Sequence, residues 1–96
     1  MKHMNYFFNK ITYNILNLVD ENENITMSIF LYLMFETLPY ATYTTILRYV
    51  NILVKKKLII KNKTNTIEYN LIITDKGKEI LNLFKKIKEV INNGNK

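Results

Sequence analysis

The sequence contains no cysteine, one histidine, one proline and two glycines among its 96 residues. The absence of cysteine excludes a disulfide scaffold, a thiolate zinc site and a cysteine nucleophile. The two glycines, Gly77 and Gly94, are too few and too far apart for a glycine-rich phosphate loop. Because His3 is the only histidine, a zinc site would rest on carboxylates. We therefore expect no enzymatic activity, no catalytic residue and no metal or other cofactor.

Long apolar segments are also lacking. The longest uncharged apolar run is ITMSIFLYLMF, residues 25–35, and its eleven residues are fewer than a bilayer span, which needs ~20. The start MKHMNYFFNK lacks the apolar core and cleavage site of a signal peptide. We expect a single domain over residues 1–96, no membrane partner and a cytoplasmic location. The apolar run is expected to form a buried helix, although such a helix can also line a ligand cavity. No small-molecule ligand is identifiable.

The positive charge is concentrated in one window of the chain. The formal net charge is +6, and residues 41–63 contain no aspartate or glutamate. The basic residues of this window are Arg48, Lys55, Lys56, Lys57, Lys61 and Lys63. The remaining eight lysines balance the eight acidic residues. A neutral body with one cationic segment is typical of a site for a polyanion, and a solvated lysine face is the alternative.

Hydrophobic spacing predicts an order of three helices, a hairpin and a last helix. The predicted spans are helices over residues 5–19, about 26–38, 41–57 and 75–92, and a hairpin over 58–74 with its tip at Asn62 to Asn65. Expected N-caps are Thr26 or Ser28 for the second helix, and Thr74 or Asp75 for the last. Pro39 should end the second helix. Ile46, Val50 and Leu53 mark the inward face of the third helix, and Ile80, Phe84, Ile87 and Ile91 mark a stripe on the last.

The segments TYTTILRYVNILVKKKLI and ITDKGKEIL, with the hairpin between them, resemble the winged helix-turn-helix regulators. The layout, with LPYATYTTI at the turn, is similar to small winged-helix proteins of archaeal viruses and to archaeal chromatin-associated winged-helix proteins. The resemblance covers about residues 8–91. It implies an α+β, mainly α fold with three helices, a β-hairpin wing over residues 60–70 and a C-terminal helix. If a virus encodes the chain, the cytoplasm is that of the host cell. Lys57 departs from the pattern, because many relatives carry glycine there. It must either adopt a positive φ or end the helix differently.

The resemblance implies that the recognition helix, residues 41–57, enters the major groove of DNA. A helix in that groove presents its N-terminal residues to base edges, where small hydroxyl-bearing side chains fit. The candidate DNA-binding residues are Thr42, Tyr43, Thr44, Thr45, Arg48, Asn51, Lys55, Lys61 and Lys63. Arg48 can read guanine and Asn51 adenine, and the alternative for Arg48 is a phosphate contact. One of Thr42 and Thr44 is expected to cap the helix. The lysines supply affinity through the DNA backbone.

The last helix carries a surplus of apolar residues, and the resemblance to winged-helix regulators implies that this surplus forms a dimer interface. One stripe suffices for packing within the domain, whereas the helix carries more than one. The candidate interface residues are Tyr6, Phe7, Tyr13, Leu83, Ile87, Val90 and Ile91. The alternative is one broad stripe packing on the same domain.

The sequence therefore predicts a homodimeric, sequence-specific double-stranded DNA-binding protein that regulates transcription. Two alternatives remain open. One is an architectural chromatin-type protein with weak sequence preference, and the other is a winged-helix protein-interaction module. Comparing affinity for a selected site with affinity for bulk DNA separates the first alternative.

Overall fold

A computed structural model describes residues 9–64 and 67–94, with side chains described as far as Ile91. The predicted interface residues Tyr6 and Phe7 lie outside these ranges. The described part is mainly helical with a small three-stranded antiparallel sheet, as the predicted α+β class requires. Its elements in chain order are α1 (Lys10–Glu21), β1 (Ile25–Thr26), α2 (Met27–Thr37), α3 (Tyr43–Lys55), β2 (Ile59–Lys63), β3 (Tyr69–Ile73) and α4 (Asp75–Gly94).

Each helix begins at a polar side chain that accepts from a backbone N–H three residues later. The pairs are Asn9 with Thr12 at 3.0 Å, Thr26 with Ile29 at 3.3 Å, Thr42 with Thr45 at 3.2 Å, and Thr74 with Gly77 at 3.0 Å. Each such cap stabilises its helix by about 1 kcal/mol. Two candidate caps were predicted for each of α2, α3 and α4, and the structure selects Thr26, Thr42 and Thr74. Asn9 also donates from Nδ2 to the Tyr49 hydroxyl at 2.8 Å, which ties the start of α1 to α3.

Several predicted helix boundaries differ from those of the structure. The first described helix begins at Lys10, because the Asn9 backbone is extended and caps it, and residues 5–8 of the predicted span lie outside the described residues. It also continues two residues past the predicted end, to Glu21. The third helix spans Tyr43–Lys55 and not 41–57, because Thr42 is its extended N-cap and Lys57 has a positive φ.

The sheet contains a strand that was not predicted. Its order is β1-β3-β2, and Ile25 of β1 pairs with Leu71 of β3. The β2–β3 register runs from Ile59 opposite Ile73 to Lys63 opposite Tyr69. The Thr64 N–H then donates to the Glu68 carbonyl oxygen at 3.1 Å, so the connection is residues 65–67. The predicted tip at Asn62 to Asn65 is wrong for Asn62 and Lys63, which are strand residues paired with Asn70 and Tyr69, and Asn65 lies outside the described residues.

One hydrophobic core joins the helices to the sheet. The predicted inward residues of α3, Ile46, Val50 and Leu53, are fully buried. The largest other core side chains come from α1, α2, the two long strands and α4, and include Ile15, Leu16, Phe30, Met34, Leu58, Ile59, Leu71 and Leu81. Within the described ranges, no helix combines the length and apolar composition that a membrane crossing requires.

Helix α2 is not buried on all sides, contrary to the expectation for its apolar sequence. Phe30 and Met34 face the core, whereas Ile29 is 54% exposed and Tyr32 is 65% exposed. Phe35 is also exposed. Helix α2 is short and packs on one side only, so its apolar composition exceeds what its buried face needs.

The first turn of α4 is fitted against the end of α3. The Thr74 hydroxyl lies 2.8 Å from the Lys57 carbonyl oxygen and 3.1 Å from that of Leu58. Gly77 is buried there, and a Cβ on it would overlap the Leu58 carbonyl oxygen and lie 2.8 Å from Ile73 Cγ1. Only glycine therefore permits this close approach.

The distal half of α4 leaves the core. Leu81 is buried, and the Phe84 ring lies 5.9 Å from that of Tyr13 in α1. Side chains from Lys85 to Ile91 are exposed. Of the predicted stripe of α4, Ile80 and Phe84 are half-buried, whereas Ile87 and Ile91 are exposed.

Candidate nucleic-acid interface

The outer face of α3 carries a continuous polar stripe. Thr44, Arg48, Asn51 and Lys55 are all exposed and recur at spacings of four, three and four residues. This periodicity places them on one side of the helix, opposite the buried residues Ile46, Val50 and Leu53. The structure thus brings together four of the predicted DNA-binding residues on one solvent-facing surface, which we call the α3 outer face.

The first turn of α3 divides its hydroxyls between two roles. The Thr42 side chain accepts from the Thr45 N–H and donates to the Thr45 hydroxyl at 2.9 Å. Thr45 is also half-buried. Thr42 and Thr45 therefore serve the cap, while Tyr43 and Thr44 point outward. Tyr40 is exposed just before this turn and was not among the predicted site residues. Its position at the start of the hydroxyl-rich segment is the sequence feature that points to it.

The carboxyl end of α3 is cationic and tightly closed. The Leu58 N–H donates to the Leu53 carbonyl oxygen at 2.9 Å, and the Lys57 N–H donates to that of Val54 at 3.0 Å. These bonds form a Schellman motif, which needs a residue with positive φ at its centre. Lys57 supplies it with φ 64°, so one of the two expected outcomes for this lysine is confirmed. Lys55, Lys56 and Lys57 are exposed there, near the negative end of the helix dipole.

The hairpin places its two lysines beside one aromatic ring. The Lys61 Nζ lies 4.7 Å from the Tyr69 ring centroid, and the Lys63 Nζ lies 5.9 Å from it. Ammonium groups at this range are attracted to the ring face. Tyr69 was not among the predicted site residues, because its position opposite Lys63 depends on the strand register.

Strand alternation separates the two signs of charge on the hairpin. Lys61 and Lys63 share a face with Ile59 and Leu71, which are buried in the core. The two lysines therefore lie on the core-side face of the sheet. They are exposed because they lie farther along the hairpin than the buried residues do. Glu68 pairs with Thr64 and lies on the other face, where the Ser28 hydroxyl is 3.5 Å from its carboxylate.

The predicted dimer residues fall into three groups. Leu83, Ile87, Val90 and Ile91 are all exposed on α4, and we call this surface the α4 ridge. Tyr13 instead packs within its own chain, against Phe84 and under the Lys88 ammonium, whose Nζ is 4.8 Å from the ring centroid. Tyr6 and Phe7 lie outside the described residues.

A second exposed apolar surface lies on α2. It comprises Ile29, Tyr32 and Phe35, and we call it the α2 outer face. A hydrogen bond to the Glu36 carboxylate, together with the negative charge of that group, raises the pKa of Tyr32 above its ordinary value.

Comparison of the chain with protein-family models, curated proteins and solved structures finds no match.

Proposed function

We propose that this protein is a winged helix-turn-helix regulator of transcription that binds double-stranded DNA as a homodimer. The observation that carries the proposal is the α3 outer face. It is exposed and polar, it is acid-free, and the opposite side of α3 is buried in the core. The acid-free segment continues from residue 37 to residue 67 and includes both hairpin lysines.

The order of elements supports the winged-helix assignment. Helices α2 and α3 are joined by the five residues 38–42 and are followed directly by the β2–β3 hairpin. Two short helices joined by a short turn form the helix-turn-helix unit, in which the second helix is the recognition helix. In this chain that helix is α3, and the hairpin is the wing.

The proposed docking mode assigns roles along α3. With α3 in the major groove, Tyr43 and Thr44 lie nearest the base edges, since the N-terminal residues of a recognition helix lead. Arg48 can form a bidentate contact with guanine, and Asn51 can do so with adenine. Lys55 and the wing lysines contact phosphates. If about four phosphates are neutralised per protomer, log K falls with log salt at a slope of about −3.6, and about −7 for a dimer.

Selection of bound duplexes from a random pool tests this function. We expect an enriched, palindromic motif with half-sites about one helical turn apart. We also expect affinity for that motif to exceed affinity for bulk DNA by at least about 10³ at fixed salt. A ratio near one supports the architectural alternative. Failure to bind any duplex in dilute buffer removes the proposal.

The α4 ridge is the proposed dimer interface. Leu83, Ile87 and Val90 recur at spacings of four and three residues, which is the spacing of a helix-to-helix seam. Leu83→Lys with Ile87→Lys should convert a dimer into a monomer in sedimentation, because each protomer would place two new charges in an apolar contact. Ile29→Lys on the α2 outer face is the matched control and should leave the dimer intact. The reverse pattern would assign the dimer to α2.

The α2 outer face favours a second candidate function, that of a protein-interaction module. Ile29 and Tyr32 are largely exposed, so packing within the domain does not account for these apolar side chains. Such a module would bind duplex no better than any protein of the same net charge. Its affinity for a protein partner would fall on Ile29→Lys, whereas DNA binding by a regulator would not change.

A further inference from the structure

The end of the hairpin presents an isoleucine to solvent. Ile67 is the last residue of the 65–67 connection, directly before the Thr64–Glu68 closure. Its side chain is 87% exposed, the largest value among the exposed large hydrophobic residues of the described chain. Single exposed hydrophobic residues are common on protein surfaces, so the surroundings of Ile67 decide whether it has a role.

One face of the hairpin near Ile67 is suited to bind an anion. Lys61 and Lys63 lie on the core-side face of the same hairpin, and Tyr69 holds both ammonium groups near its ring. The nearest carboxylate in the sequence, that of Glu68, lies on the opposite face. Near its closed end the hairpin therefore exposes one isoleucine, and it holds two cations on its core-side face.

We propose that Ile67 is an apolar wedge that enters the minor groove and partly unstacks one base step while Lys61 and Lys63 contact the flanking phosphates. Proteins that bend DNA through the minor groove commonly insert apolar side chains between base steps. The inference rests on the proposed duplex binding and adds that the bound DNA is kinked at the hairpin. Flexible pyrimidine–purine steps such as TA are the preferred positions, since they unstack most readily.

A bending measurement tests the wedge. The probes are two duplexes of equal length with a fluorophore at each end, one rich in TA steps and one an A-tract. The full-length protein should bend the TA-rich duplex by about 20–90°, read as a gain in energy transfer, and should bend the A-tract much less. A 2-aminopurine beside a TA step should brighten on binding.

Ile67→Ala should abolish most of the energy-transfer gain and the 2-aminopurine signal while the protein still binds the duplex. Ile60→Ala is the matched control, because Ile60 is also an exposed isoleucine of the hairpin but lies in β2, away from the tip. It should leave both signals unchanged. Lys61→Ala with Lys63→Ala should lower the salt slope by about 2 without removing the kink from the duplex that remains bound.

The outcomes separate the wedge from the proposed function. Tight binding without bending, or equal bending by the Ile67→Ala protein, overturns the wedge and leaves duplex binding in place. Failure to bind either duplex overturns both. A change in sedimentation of the DNA-free protein on Ile67→Ala would assign the side chain to a protein contact and would also overturn the wedge.

Discussion

Helices α2 and α3 bury similar inner faces but expose different outer faces. Phe30 and Met34 of α2 meet Ile46 and Val50 of α3 in the same core. Outside the core, α2 shows isoleucine and aromatic rings, while α3 shows hydroxyl, amide and cationic groups. Folding determines the inner faces, since each helix needs one apolar stripe to pack. It leaves the outer faces undetermined, so their different composition is not explained by packing within the domain.

The two helices also end differently. Helix α2 ends at Thr37, and Pro39 follows two residues later. Helix α3 ends with Lys57 at φ 64°, a conformation that costs a non-glycine residue roughly 1–2 kcal/mol. The chain thus keeps a strained cation at the end of α3, where glycine would be unstrained. Strain retained beside a candidate interface is consistent with a role for the charge.

The largest expected effect tests whether the inner faces are equivalent. Phe30→Ala in α2 should lower the free energy of unfolding by ~3–5 kcal/mol, and Leu53→Ala in α3 by ~2–5 kcal/mol, because each leaves a cavity in a fully buried site. Urea unfolding followed by circular dichroism measures both. A loss below about 1 kcal/mol at either site would show that this helix is not part of the common core.

The outer faces should separate in DNA binding. Arg48→Ala should weaken binding to the selected motif by ~1–3 kcal/mol and relax the preference at one base position. Ile29→Ser, a polar substitution on the α2 outer face, is the control and should change the affinity little. Fluorescence anisotropy with the motif and with single-base variants gives both quantities. If Arg48→Ala weakens binding equally for all sequences, Arg48 contacts a phosphate and does not read a base.

Local patterns in the sequence predicted the parts of this fold that depend on neighbouring residues. The spacing of Ile46, Val50 and Leu53 predicted the buried face of α3, and the placement of threonines predicted three N-caps. Both are properties of one or two helical turns. The four residues of the α3 outer face follow from the same periodicity, since fixing the inward phase fixes the outward one.

Features that depend on distant residues were not predictable in this way. The β1 strand consists of two residues and exists only by pairing with β3, more than forty residues later. The hairpin register, and with it the Tyr69 contacts, depends on which residues pair across the loop. Gly77 reads locally as a tolerated helix glycine, yet its requirement comes from the Leu58 carbonyl oxygen. Apolar richness in α2 likewise did not show which side chains the core would leave exposed.

The smallest expected effect concerns the end of α3. Lys57→Gly removes both the charge and the strain of the positive φ, and Lys57→Ala removes the charge but keeps the strain. The glycine variant should therefore be more stable than the alanine variant by about 1 kcal/mol, measured as the difference in urea unfolding.

Both variants should bind duplex slightly more weakly than the native protein, with a salt slope smaller by at most about 1. Equal stabilities of the two variants would show that residue 57 does not hold a left-handed conformation in solution. A lower affinity of the alanine variant alone would show that the closure of the helix, and not the lysine charge, is what the DNA contact requires.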